Sequence, residues 1–128
     1  MTPDFEVKRI YEPPTADDGT RVLVDRLWPR GTSKAEAHID LWPKQITPST
    51  TLRQWLHADR SAREPEFAER FRAELAAPEA QRELDRLRAL AGRGRVTLLT
   101  AVKEADLPNS HIPVLLDELR ERHQNAAG

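Results

Sequence analysis

Two short stretches of this chain concentrate the side chains that could do chemistry. The first, Asp25-Arg26-Leu27-Trp28-Pro29-Arg30-Gly31, sets two guanidinium groups and an indole in a segment that Pro29 and Gly31 keep from regular structure. The second runs from Ala101 to His111 and carries Lys103, Glu104, Asp106, Asn109, Ser110 and His111. Guanidinium forks bind phosphate or carboxylate through two parallel hydrogen bonds, and lysine adds a point charge. A serine hydroxyl and backbone amides at a helix start can complete such a site. Arg26, Trp28, Arg30, Lys103 and Ser110 are therefore the candidate ligand-binding residues for a small anion, with Trp28 offering a stacking face. His111 is the candidate acid or base, because an imidazole titrates near working pH, and Glu104 or Asp106 would orient it.

Each of these residues also has a structural reading. Arg26 can pair with Asp25, Arg30 can be a solvated loop residue, and His111 can be a satisfied structural histidine. Trp55 falls on a helical stripe and reads as core, whereas Trp28 divides evenly between packing and recognition. His57-Ala58-Asp59 looks like a metal or acid-base pair, yet residues two apart on a helix point in different directions. No further ligand stands at zinc spacing, so neither a metal nor a cofactor is expected. There is no Walker loop, nucleophile elbow or Gly-x-Gly-x-x-Gly run, and these absences remove the usual marks of nucleotide hydrolysis, esterase chemistry and dinucleotide binding.

The elements that must position these residues follow from periodicity. Phe5 to Ile10 alternates as a half-buried strand, and Tyr11 to Thr20, with two prolines and Asp-Asp-Gly, is a surface loop. Arg21-Val22-Leu23-Val24-Asp25 and Arg95 to Ala101 read as strands covered on both faces. Ser33-Lys34-Ala35-Glu36 is a capping box for a short helix, and Ile39 to Pro43 is an edge strand or extended connection. Ser49 caps a helix with Leu52, Trp55 and Leu56 on one face; Pro65 near a first turn precedes a second helix with Phe67, Phe71 and Leu75. The two are joined or kinked between Asp59 and Arg63. Pro78 to Gly92 bounds a third, carrying Leu84, Leu87 and Leu90, and the last begins near Asn109-Ser110 and buries Ile112, Leu115, Leu116 and Leu119.

The fold class is therefore α/β: a small sheet with at least two parallel strands, the second and the last, covered by helices in a layered sandwich. At 128 residues one domain is expected, ordered over about residues 5–123 with a frayed tail after His123. In such sheets ligands gather outside the carboxyl ends of parallel strands. If those two strands are neighbours, Arg26, Arg30 and Lys103 converge.

Composition narrows the partners. A net charge of -1 provides no field of one sign to draw in a polyanion, which argues against nucleic acid. The chain contains no cysteine, which removes disulfides and thiolate catalysis and fits a reducing compartment. No signal-peptide pattern and no run of membrane-spanning length occurs, so the cytoplasm is the expected location.

The runs Val7-Lys8-Arg9-Ile10-Tyr11-Glu12-Pro13-Pro14, Asp18-Gly19 and Val22 to Gly31 closely resemble the opening of the YeaO-like proteins, an uncharacterised family within a domain of unknown function. The resemblance continues through Ser33-Lys34, Pro48-Ser49-Thr50, Leu52-Arg53, Trp55, Phe71-Arg72, Glu74-Leu75, Val96 to Leu99 and Lys103, and so covers nearly the whole chain. Near the end, Lys103-Glu104, Ser110-His111 and Val114-Leu115 match the family pattern in kind. Glu104 stands where Asp is usual, and Ile112-Pro113 where Ala is usual. The resemblance implies an α/β fold and supplies no activity.

Two functions remain as expectations. One is a binder or enzyme for a small phosphate- or carboxylate-bearing molecule at the strand ends. The other is a non-catalytic module that contacts a protein or RNA through the Arg-rich helical face from Arg63 to Arg95; glutamates interleaved with those arginines point instead to a solvated face laced by ion pairs. Oligomeric state is not encoded in any motif.

Overall fold

Three parallel strands form the sheet in the order β1-β3-β2, with β1 at Phe5–Arg9, β2 at Thr20–Leu23 and β3 at Val96–Thr100. The computed structural model describes residues 4–127, with side chains from Asp4 to Arg120. β3 takes the centre because its Val-Thr-Leu-Leu-Thr side chains tolerate burial on both faces, and all five are buried. Phe5 and Thr20 both pair with Val96, so the three strands start level; β1 runs to the register of Thr100 and β2 ends one residue earlier, opposite Leu99. One hydrogen bond beyond β2, from Val24 N to Leu99 O at 3.0 Å, carries the alignment up to Asp25.

The two faces of the sheet are covered unequally. Val22, Val24, Val96 and Leu98 join the main core with residues of four helices: α2 (Thr50–Ala58), α3 (Arg60–Leu75), α4 (Pro78–Ala91) and α5 (Ile112–Ala127). Phe71, Leu84, Leu87, Leu115 and Leu119 are fully buried there, at the three- and four-residue spacings that mark a helix's apolar stripe. Leu99, one residue out of phase with Leu98, points the other way and packs with Ile10 and Ala37, against which Trp28, Ile39 and Ala101 lie. Ala37 belongs to the short helix α1 (Lys34–Ala37), whose Ser33–Glu36 capping box is present as expected.

Most helix boundaries fall where the sequence placed them. Ser49 caps α2 by accepting Leu52 N at 3.0 Å, and Pro78 opens α4. The chain breaks between α2 and α3 at Asp59, whose φ of -158° and ψ of 76° are not helical. α3 starts earlier than Pro65 suggests: Arg63 N already bonds Asp59 O at 3.0 Å, and the proline sits inside the helix. Gly92 follows α4 with φ -71°, so it ends the helix without left-handed geometry. The Ile39–Pro43 segment is an extended connection beside β2, making a single parallel bridge from Leu41 to Val22. The frayed tail expected after His123 falls on residues whose side chains lie outside the described ones.

The proline-rich loop after β1 hides an ionic anchor that its composition did not announce. Asp18 ends a 3-10 turn (Ala16–Asp18) and is 6% exposed. Its carboxylate accepts from Lys8 Nζ at 3.0 Å, from Thr15 N and Oγ1 at 3.0 Å, and from Arg21 Nη1. Arg21, 4% exposed, spends its remaining donors on the carbonyls of Ala37 and His38. Burial alone would raise the Asp18 carboxyl, but these donors together hold it at about 2. Gly19 follows at φ 63°, where a Cβ would stand 2.1 Å from Arg95 O; only glycine fits that approach.

Candidate functional site

Because β2 and β3 are adjacent, parallel and level, the loops that leave them run side by side at one edge of the sheet. Between those loops and the α2–α3 corner lies a cavity of about 490 Å³. That volume is within the usual range for small-molecule sites. Arg26, Trp28, Arg30, Lys103, Ser110 and His111, the residues singled out from sequence, all border it. Leu27, Leu56, Phe67 and Val102 supply apolar wall, and Arg53, His57 and Arg60 enter from the helical side.

The structure divides the cations into two kinds. Arg26 is committed to the fold: its Nε donates to Pro48 O at 3.0 Å, and its Nη2 to Thr47 O at 3.2 Å and Lys44 O at 3.3 Å. It does not pair with Asp25. Arg60 pairs loosely with Glu64 at 3.7 Å. By contrast, Arg30, Arg53 and Lys103 have no ion-pair or side-chain hydrogen-bond partner among the described residues, and Arg53 is half-buried.

At the strand ends Asp25 is tied on three sides. Its Oδ1 accepts from Thr100 Oγ1 at 2.7 Å, its Oδ2 accepts from Ala101 N at 2.7 Å, and His111 Nε2 lies 3.4 Å from Oδ1. Burial pushes this carboxyl up, but His111, the Ala101 amide and Thr100 outweigh it, so Asp25 titrates below the ordinary carboxylate value. His111 Nε2 also stands 2.7 Å from Val24 O, and Phe71 meets the ring edge-on at 6.1 Å. Asp25, not Glu104 or Asp106, is therefore the acid that orients His111.

Other expected roles are redistributed. Trp28 borders the cavity, while its Nε1 donates to Thr32 O at 2.8 Å and its ring sits 5.5 Å from that of Trp42. Trp42 is tied by Nε1 to Asp25 O at 2.7 Å, and Trp55 lies under Arg70 and Arg63 at 4.1 and 5.2 Å; neither lines the cavity. The three tryptophans thus form no common wall. Ser110 is spent on the chain turn, donating to Leu107 O at 2.7 Å and accepting from Ile112 N at 3.2 Å. Pro113 removes a further donor from the start of α5, so that terminus offers little to an anion.

Arg53 is the residue that sequence reasoning passed over as a site residue, and His57 was weighed only with Asp59 and set aside. They stand one turn apart on α2, beside Leu56, and that four-residue spacing was the available signal. No group of histidine, cysteine, aspartate and glutamate that could hold a metal ion occurs among the described residues. Along the helical face, Arg70, Arg86 and Arg88 pair with Glu66, Glu83 and Asp85, as the interleaved acids foretold. No helix among the described residues is long and apolar enough to cross a membrane.

The chain is thus a small parallel α/β protein with a cation-rimmed cavity at its strand ends. It belongs to the DUF488-N3i family, described as the inactive DUF488-N3 subclade, whose model matches residues 4–128. It is 42% identical over 117 residues to the uncharacterized protein YeaO of Escherichia coli (strain K12), covering 91% of this chain and 97% of that protein. It is also 42% identical over 116 residues to the uncharacterized protein Mb3100c of Mycobacterium bovis, covering 91% and 93%. The similarity identified from sequence to the YeaO-like family is therefore shown. No solved structure matches the chain.

Proposed function

We propose that this protein binds a small phosphate- or carboxylate-bearing molecule in the cavity at the ends of β2 and β3. The observation that carries this reading is that Arg30, Arg53 and Lys103 border one cavity, and none of them has an ion-pair partner among the described residues. Like charges gathered in one place are unfavourable, and a half-buried guanidinium also loses hydration; an anion relieves both. Apolar wall around the cations strengthens their pull by excluding water. That the subclade is described as inactive favours binding without turnover. A second reading, acid-base chemistry by His111, draws support from Asp25, which holds the ring as the acid of a catalytic dyad would.

A thermal-shift screen of phosphorylated and carboxylated small molecules tests the proposal. A true ligand raises the melting temperature in proportion to RT ln(1 + [L]/Kd), and the rise disappears in Arg53→Ala. If no anion stabilises the protein, or if Arg53→Ala keeps the full shift, the proposal is wrong.

A further inference from the structure

The cavity is bordered by polar groups of opposite kinds. The side chains of His111 and Asp25 are only 12% and 16% exposed. A carbonyl oxygen can only accept, so His111 Nε2, at 2.7 Å from Val24 O, must carry the hydrogen. In the neutral ring Nδ1 is then an acceptor, and it has no protein partner among the described residues. The one buried side-chain polar atom lacking a partner among those residues is Gln81 Oε1. Nδ1 is therefore reached by solvent, on a residue that borders the cavity. Asp25 adds to the same character: a carboxylate has about four acceptor sites, and the Thr100 hydroxyl and Ala101 amide do not exhaust them.

Three other lining residues only donate. Arg30 and Lys103 are exposed and Arg53 half-buried, and none has a side-chain partner among the described residues. Leu27, Trp28, Leu56 and Phe67 supply apolar surface to the same cavity.

We infer that the ligand is a bifunctional anion: an oxyanion group held by Arg30, Arg53 and Lys103, and a hydroxyl or N–H donor given to His111 Nδ1 and Asp25, joined by an apolar or planar body. This deepens the anion-binding reading and rests on it. A simple anion satisfies the cations and leaves these acceptors to water; a molecule that also carries a donor satisfies both.

The test compares phenyl phosphate with the 2-, 3- and 4-hydroxyphenyl phosphates on the wild-type protein, by calorimetry or NMR titration. These differ by one donor on the same rigid ring, so the cost of the phosphate cancels. At least one isomer binds roughly fivefold tighter than phenyl phosphate, the worth of one hydrogen bond. In His111→Phe, which lacks the acceptor, the advantage shrinks. If phenyl phosphate binds but no isomer improves on it, the donor requirement is overturned while the anion site stands. An advantage that His111→Phe keeps in full overturns the assignment of His111 as acceptor. If neither phenyl phosphate nor any isomer binds, both the site and this inference fail.

Discussion

Replacing Asp18 by asparagine is the most informative single perturbation of the frame that carries the cavity. The carboxylate serves Lys8, Arg21 and both Thr15 donors at once, in a position 6% exposed. Asparagine keeps one acceptor oxygen but turns an amide donor toward a cluster of donors. Arg21, 4% exposed, is left with only the neutral carbonyls of Ala37 and His38. Removing one partner of a buried pair costs about 3–5 kcal/mol, against a total stability of about 5–15 kcal/mol for a typical domain. The acid titration gives an independent measure. The folded pKa is about 2 where the ordinary value is 3.8, so the group stabilises the fold fully above 3.8 and loses that contribution as pH falls through about 2. A shift of that size corresponds to about 2 kcal/mol. Urea unfolding followed by circular dichroism at a series of pH values measures both. The wild-type midpoint falls between about pH 4 and pH 2, and Asp18→Asn starts lower and lacks that part of the slope. A variant within about 1 kcal/mol of wild type at neutral pH, with the same acid slope, would show that the cluster does not anchor the loop.

Three further outcomes follow from the same geometry. Arg26→Ala removes donors from three carbonyls and costs about 1–3 kcal/mol in chemical unfolding, whereas Arg30→Ala and Lys103→Ala, at residues with no side-chain partner among the described residues, stay within about 0.5 kcal/mol. Equal losses from all three would contradict the division between structural and ligand-facing cations. Thr100→Val deletes the 2.7 Å bond to Asp25, so the Asp25 carboxyl, followed by carbon NMR, titrates at higher pH than in wild type. Stability that Asp25 contributes is present above the ordinary carboxylate range and lost as pH falls through its depressed value, and in the variant this loss is smaller and complete at higher pH. Gly19→Ala meets Arg95 O and an unfavourable φ together, while Gly31→Ala, with open space at φ 81°, meets only the second; the former lowers the melting temperature more.

Read along the chain, periodicity and caps determined the strands, the helical middle, the closing helix and a parallel relation between β2 and β3. These features are local: a strand's alternation, the Ser33–Glu36 box and the Ser49 cap depend on neighbours within a few residues. The same local chemistry picked out the Trp28–Arg30 loop and the Lys103–His111 loop as companions. Tertiary structure decided what each charge does. Arg26 and Arg30 look alike in sequence, yet one is consumed by carbonyls of the Lys44–Pro48 segment and the other is left for solvent, because that segment folds back over only the first. Asp25 finds His111, distant in sequence, only because β3 lies between β1 and β2 and brings the α5 start to the end of β2. Arg53 joins the site through the angle between α2 and the sheet, which no motif near Arg53 encodes. Ionic partnerships across a fold depend on chain path, and side-chain type alone does not carry that information.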